Sequence, residues 1–214
     1  MPPPQIETIV AMVFIFFINN GESMADTQKN TPEICAIVAV GPDNVIGLNG
    51  AMPWHSRADF YHFKKMTMGY PVVFGKNTFF GLPKYPLPKR LNIVCSSAYK
   101  TTNLGDFVCA TSLEDAIKYC HSFKKLFICG GAELYKYSLN HDYIDVMYLT
   151  KLVSPELSAE IAQNPAIYTR FPVDINVFFN PKKWSWEQIS YLPGILPKEN
   201  TNIIAEFFKC TRVR

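Results

Sequence analysis

A chain of 214 residues holds one domain with a full core, or one domain plus an appendage. Its hydrophobic fraction of 48% and charged fraction of 18% are those of a globular protein, and a net charge of +3 is too small to make nucleic acid the main partner. The six cysteines (Cys35, Cys95, Cys109, Cys120, Cys129 and Cys210) include no C-x-x-C, and no His pair has zinc-ligand spacing, so no metal site is expected. They read as small buried hydrophobes in a reducing compartment.

The apolar run "IETIVAMVFIFFI" (6–18) is short for a bilayer span, and no Lys or Arg precedes it as in a secretory signal. "SMA" (23–25) could pass for a cleavage site, and Met24 could be the true start. Residues 1–33 are therefore read as an extension outside the fold, or as no part of the true chain, in preference to a signal or anchor. A cytoplasmic protein without a membrane partner is expected.

From residue 34 the pattern is regular. "ICAIVAV" (34–40) is a buried strand, and "GPDNVIGLNGAMP" (41–53) reads as a long surface loop. A helix carrying Asp59 follows. "PVVFG" (71–75) is a strand, and "KNTFFGL" starts a helix with Asn77 or Thr78 as its cap. "LNIVCSS" and "DFVCAT" are strands, and Ser112 caps the helix "LEDAIKYCHSF". "LFICGG" (126–131) is a strand ending in paired glycines, "AELYKYSL" a helix, and "YIDVMYLTKL" a strand. The stretch 154–172 reads as irregular. "KWSWEQISYL" and "NIIAEFFKC", joined by "PGILPKENT", read as an antiparallel hairpin at a sheet edge. The expected fold is thus a single-domain α/β sheet, mostly parallel, with flanking helices and a C-terminal antiparallel hairpin spanning 34–214.

Ligands in such sheets bind at the carboxyl ends of strands. Gly130-Gly131 there brings bare backbone N–H groups to a helix start, which suits a pyrophosphate or serves only a tight turn. The G-x-G-x-x-G spacing is absent. Lys76 in "GKNT", with Ser96, Ser97 and Lys100 after the next strand, adds cations and hydroxyls suited to phosphate, or the lysines are ordinary surface residues. Asp59 is the unusual acid. It shares a helix face with Phe63 and Thr67, and Arg57, Lys64 and Lys65 lie off that face. A carboxylate in such surroundings is expected to have a raised pKa, and to hold a proton or a ligand donating two hydrogen bonds, unless it is a structural acid at an exposed position. His55, His62, His121 and His141 read as surface residues or helix decoration, and Trp184, Trp186, Phe178 and Phe179 as packing.

"VIGLNGAMPWHSRADFYHFKKMT", "PVVFGKNTF", "PLPKRLNIVCSS", "FICGGAELY" and "YLTKL", in that order, resemble dihydrofolate reductase from about Ile34 to the C-terminus. The resemblance implies that Asp59 accepts hydrogen bonds from the 2-amino group and ring N–H of the pterin. Phe63 then packs on the pterin and benzoyl rings, Leu87 lines the benzoyl pocket, and Arg90 grips the glutamate carboxylate. Val38, Ala39, Phe60, Leu82 and Cys129 complete the substrate side. Met52, with Asn49, Gly50 and Ala51, belongs to a mobile loop over the nicotinamide. Trp54 holds a water, and Thr150 hydrogen-bonds Asp59. Ala39, Ile46, Gly47, Cys129, Gly130, Gly131, Ala132, Glu133, Leu134 and Tyr135 surround nicotinamide and pyrophosphate. Gly75, Lys76, Asn77, Thr78, Ser96 and Ser97 hold the phosphates, with Lys76 selecting the 2′-phosphate.

The implied activity is hydride transfer from NADPH to C6 of dihydrofolate with protonation of N5. The implied partners are dihydrofolate and antifolates such as methotrexate or trimethoprim, for a monomer that binds no nucleic acid. No fused thymidylate synthase is expected within this chain. Arg57 stands where the family often has Pro. Lys76 replaces the more usual Arg, which keeps the charge but loses the fork. Two alternatives stay open: a reductase domain of the riboflavin-synthesis type, and a binding protein without catalysis.

Overall fold

The computed structural model describes residues 31–98, 102–192, 195–197 and 202–214. One sheet of nine strands forms its centre. In chain order the strands are β1 (Glu33–Val40), β3 (Val72–Gly75), β4 (Asn92–Cys95), β5 (Thr102–Asn103), β6 (Val108–Ala110), β7 (Lys125–Ile128), β8 (Val146–Val153), β10 (Trp184–Ile189) and β11 (Ile204–Arg212). Their spatial order is β10-β11-β8-β1-β7-β3-β4-β6-β5. β8, β1, β7, β3, β4 and β6 run parallel, and β10, β11 and β5 are antiparallel to their neighbours. The parallel strands are apolar without alternation because helices cover both faces, as in Cys35, Ala36, Val72, Val73, Phe127 and Ile128, all within 1% of complete burial.

The helices are α1 (Arg57–Thr67), α2 (Lys76–Phe80), α3 (Leu113–Tyr119), α4 (Ala132–Asn140) and α5 (Pro155–Gln163). α1 starts at Ser56, whose hydroxyl accepts the Asp59 N–H at 3.1 Å, and it holds no Gly or Pro. Lys64 and Lys65 in its last turn suit the negative end of its dipole. Ser112 caps α3 as expected, accepting from Asp115 N–H.

Four expectations are corrected. The stretch 154–172 is ordered: Ser154 caps α5 by accepting the Leu157 N–H, Pro155 opens it, and β9 (Tyr168–Arg170) follows. The "loop" 41–53 contains β2 (Val45–Leu48), which pairs antiparallel with β9 in a two-stranded side sheet. α2 begins at Lys76 behind Gly75, so neither Asn77 nor Thr78 caps it, and no side chain does. His62 is fully buried, because Phe207 and Tyr191 from the distant chain end close over it. Most of the connection "PGILPKENT" lies outside the described residues.

Candidate active site

All six parallel strands end on one side of the sheet, and Gly75, Lys76, Ser96, Ser97, Gly130 and Gly131 lie at or just past those ends. Asp59, 7% exposed, occupies the third position of α1, where the Ser56 cap fixes its backbone. Thr150 on β8 is in register with Ala39 on β1 and with Phe207 on β11. Its Oγ1 is buried without a hydrogen-bond partner among the described residues, so the expected bond to Asp59 is not formed. Trp54 Nε1 is likewise buried and unpartnered. Each of these two buried polar groups has bonding capacity that a polar ligand or water can complete. Phe63 is half-buried and Phe60 more exposed, while Val38 and Cys129 are buried in the sheet.

Arg90 reaches the same cleft. Its Nη1 donates to Thr67 Oγ1 at 2.9 Å, its Nε to the Pro88 carbonyl at 3.2 Å, and its guanidinium lies 5.8 Å from the Phe63 ring centroid. Burial draws its pKa down, yet a guanidinium stays charged. Sequence reading missed what holds it. Asn92 is 2% exposed; its Nδ2 donates to the carbonyls of Leu87 and Arg90, and its Oδ1 accepts from Leu87 N–H, each at 2.9 Å. One side chain thus closes the 87–92 turn that presents Leu87 and Arg90. No local pattern announces this, because its partners are backbone groups. The Ser56 cap did have a signal, the S-x-x-D spacing before an apolar helix.

The second half of the cleft is a cradle of backbone. β7 runs through Cys129 into Gly130-Gly131, whose peptide is cis, and then into α4. Gly75 N–H donates to the Gly130 carbonyl at 2.7 Å, which ties the ends of β3 and β7 together. Gly130 has φ +114°, a conformation that side chains rarely adopt. A Cβ at position 131 would lie 2.7 Å from Thr78 Oγ1. Glycine here leaves N–H groups open to close approach, which fits the pyrophosphate of a dinucleotide. Tyr135 packs below, its hydroxyl donating to the Ile37 carbonyl at 2.6 Å; burial raises its pKa well above the ordinary value. Burial also pushes the Cys129 thiol up, with Arg90 opposing, so no thiolate nucleophile stands here.

Lys76 and Asn77 are exposed and Thr78 half-buried on α2, beside this cradle. Ser96 is half-buried and Ser97 exposed at the end of β4. Lys100 lies outside the described residues. The 46–52 segment carries half-buried Ile46, buried Gly47, and exposed Asn49, Gly50, Ala51 and Met52, with Asn49 and Gly50 turning at φ 51° and 82°. Ala132, Glu133 and Leu134 form the first turn of α4, and Leu82 packs on the cluster around Phe74 and Phe79. All six cysteines are free; Cys95 is half-buried and the others buried. Among the described residues no group of His, Cys, Asp and Glu could hold a metal ion, and no helix is long and apolar enough to cross a membrane.

A mixed sheet with its cleft at the carboxyl ends of parallel strands defines the class: an α/β protein of the strand-end-binding type. The family model for dihydrofolate reductase matches residues 33–177. The chain is 36% identical over 119 residues to the dihydrofolate reductase of Bacillus subtilis, covering 56% of this chain and 68% of that protein. It is 38% identical over 116 residues to that of Haemophilus influenzae, covering 54% and 69%. Among solved structures, the dihydrofolate reductase from Enterococcus faecalis complexed with NADP(H) matches with a TM-score of 0.63 and 25% identity, over 86% of this chain and 97% of that one. The chain belongs to the dihydrofolate reductase family. Its activity is therefore that of an NADP-dependent oxidoreductase, and the family binds dihydrofolate and antifolate inhibitors. The riboflavin-type alternative is set aside by that membership.

Proposed function

We propose that this chain reduces 7,8-dihydrofolate to 5,6,7,8-tetrahydrofolate with Asp59 as the group that grips the pterin. The supporting observation is a buried carboxylate at the capped start of α1, in a domain whose β7 ends in the glycine cradle and whose Thr150 hydroxyl is buried without a partner among the described residues. NADPH, when bound, supplies the hydride delivered to C6. Asp59 accepts from the 2-amino group and ring N–H, which fixes the ring face. Phe63 and Leu87 pack on the aromatic body, and Arg90 forks onto the glutamate carboxylate while Asn92 holds its turn. Gly130, Gly131 and Thr78 seat the pyrophosphate, and Lys76, Ser96 and Ser97 take the remaining phosphates. The 45–52 segment excludes bulk water, and water held near Trp54 supplies the N5 proton, because Asp59 binds the far edge of the ring.

The stretch from Glu33, where β1 begins, to residue 214 acts as the reductase domain. The working form is a cytoplasmic monomer with no nucleic-acid partner. The test is loss of NADPH absorbance with dihydrofolate, comparing wild type with Asp59→Asn. Brisk turnover that collapses in the folded variant supports the assignment. Equal turnover in both sinks the role of Asp59, and NADPH binding without turnover favours a binding protein.

A further inference from the structure

His62 is a buried titratable group that catalysis as described leaves unused. It lies one turn beyond Asp59 on α1 and is 0% exposed. Its Nδ1 sits 2.7 Å from the Tyr191 hydroxyl, and its ring stacks on Phe207 with centroids 4.5 Å apart. Tyr191 in turn meets Phe207 edge-on at 5.6 Å and Tyr61 at 5.9 Å, and Lys65 Nζ lies 4.7 Å from its ring centroid. Phe207 is the cross-strand neighbour of Thr150. The helix carrying Asp59 is therefore fastened, by its second turn, to β11 and to the segment leaving β10. The titratable and charged groups facing His62 are Tyr191 from that segment and Lys65 from its own helix; β11 offers the apolar Phe207 ring.

Burial, then the Lys65 charge, lowers the His62 pKa to about 4, so the ring is neutral at neutral pH. A neutral imidazole can pair with a hydroxyl through Nδ1 in either tautomer. Its Nε2 has no hydrogen-bond partner among the described residues. A space-filling role alone is served better by an apolar ring, because an unpaired buried nitrogen is destabilising. What the imidazole adds here is the bond to Tyr191.

We propose that His62 and Tyr191 form a latch that fixes α1 against the C-terminal hairpin and so aims the Asp59 carboxylate at the pterin. Both are positioning residues, and their role rests on the pterin reading of Asp59. Tyr191→Phe removes one oxygen from a half-buried ring and keeps the fold; His62→Phe keeps the stack on Phe207 and removes the other half of the bond. Each is expected to raise the KM for dihydrofolate about three- to tenfold, the scale of one hydrogen bond. The double variant should be no worse than the worse single one, as partners in one bond are not additive. NADPH affinity, read by fluorescence titration, should stay at the wild-type value. A lowered Tm with wild-type KM in both variants overturns the latch, and so does a parallel loss of NADPH affinity. A wild type without turnover on dihydrofolate overturns the pterin reading and the latch together, whereas an active wild type with insensitive variants refutes the latch alone.

Discussion

Replacing Gly131 with alanine places a methyl carbon where the strand end leaves no room. The added Cβ would lie 2.7 Å from Thr78 Oγ1, well inside ordinary carbon–oxygen contact. Backbone conformation is not the obstacle, since φ at Gly131 is −89°. Either the Thr78 hydroxyl rotates away or the ends of β3 and β7 separate. Forcing a methyl into a filled site costs about 1–3 kcal/mol. Urea unfolding should show this as a lower midpoint at unchanged slope. In a Thr78→Ala background the obstructing oxygen is gone, and the same glycine substitution should cost less than about 0.5 kcal/mol. NADPH binding should weaken in both backgrounds, because the methyl occupies the cradle itself. A Gly131→Ala protein that unfolds at the wild-type midpoint refutes the steric reasoning. An undiminished cost without Thr78 shows that the clash lies elsewhere.

Asp59→Asn should lower kcat/KM about a hundredfold or more, the scale of losing charge-assisted bonds, in steady-state assays of a protein with wild-type circular dichroism. His62 titrates near 6.5 when unfolded and about 4 when folded, so its contribution is complete above pH 6.5 and is lost as pH falls toward 4. That amounts to about 3 kcal/mol, and the pH dependence of unfolding over this window should flatten in His62→Phe. Asn92→Ala breaks three bonds in the Arg90 turn; it should destabilise by about 2–3 kcal/mol and raise the KM for dihydrofolate while sparing a pteridine that lacks glutamate. Ser56→Ala should cost about 1 kcal/mol in denaturant titration by uncapping α1.

The sheet was legible because buried parallel strands are written as continuous apolar runs, as in "ICAIVAV" and "LFIC". The cleft was legible through glycines at a strand end and an acid among aromatics. α5 was hidden by its polar, Pro-containing surroundings, although Ser154-Pro155-Glu156 is a helix-start pattern. β2 was hidden because "VIGL" is short and framed by Asn and Gly, and its partner strand is remote. His62 looked like helix decoration because nothing within a few residues covers it; its neighbours Tyr191 and Phe207 arrive from the chain end. Asn92 escaped for the related reason that backbone partners leave no mark in side-chain pattern.

The side sheet joins Val45–Leu48 to Tyr168–Arg170, and Arg170 also grips Asp43, 127 positions away. Val45–Leu48 is thus among the earliest parts of the domain to be synthesised and among the last to be seated. At ribosomal speed that interval is on the order of ten seconds. Until Tyr168–Arg170 emerges, Val45–Leu48 lacks its partner strand. A chain interrupted before Tyr168 would present a half-built pocket to the cell's pool of pterins and nucleotides. Ligand can therefore reward only a nearly finished polypeptide, which makes occupancy of this site a check on completeness as well as a source of stability.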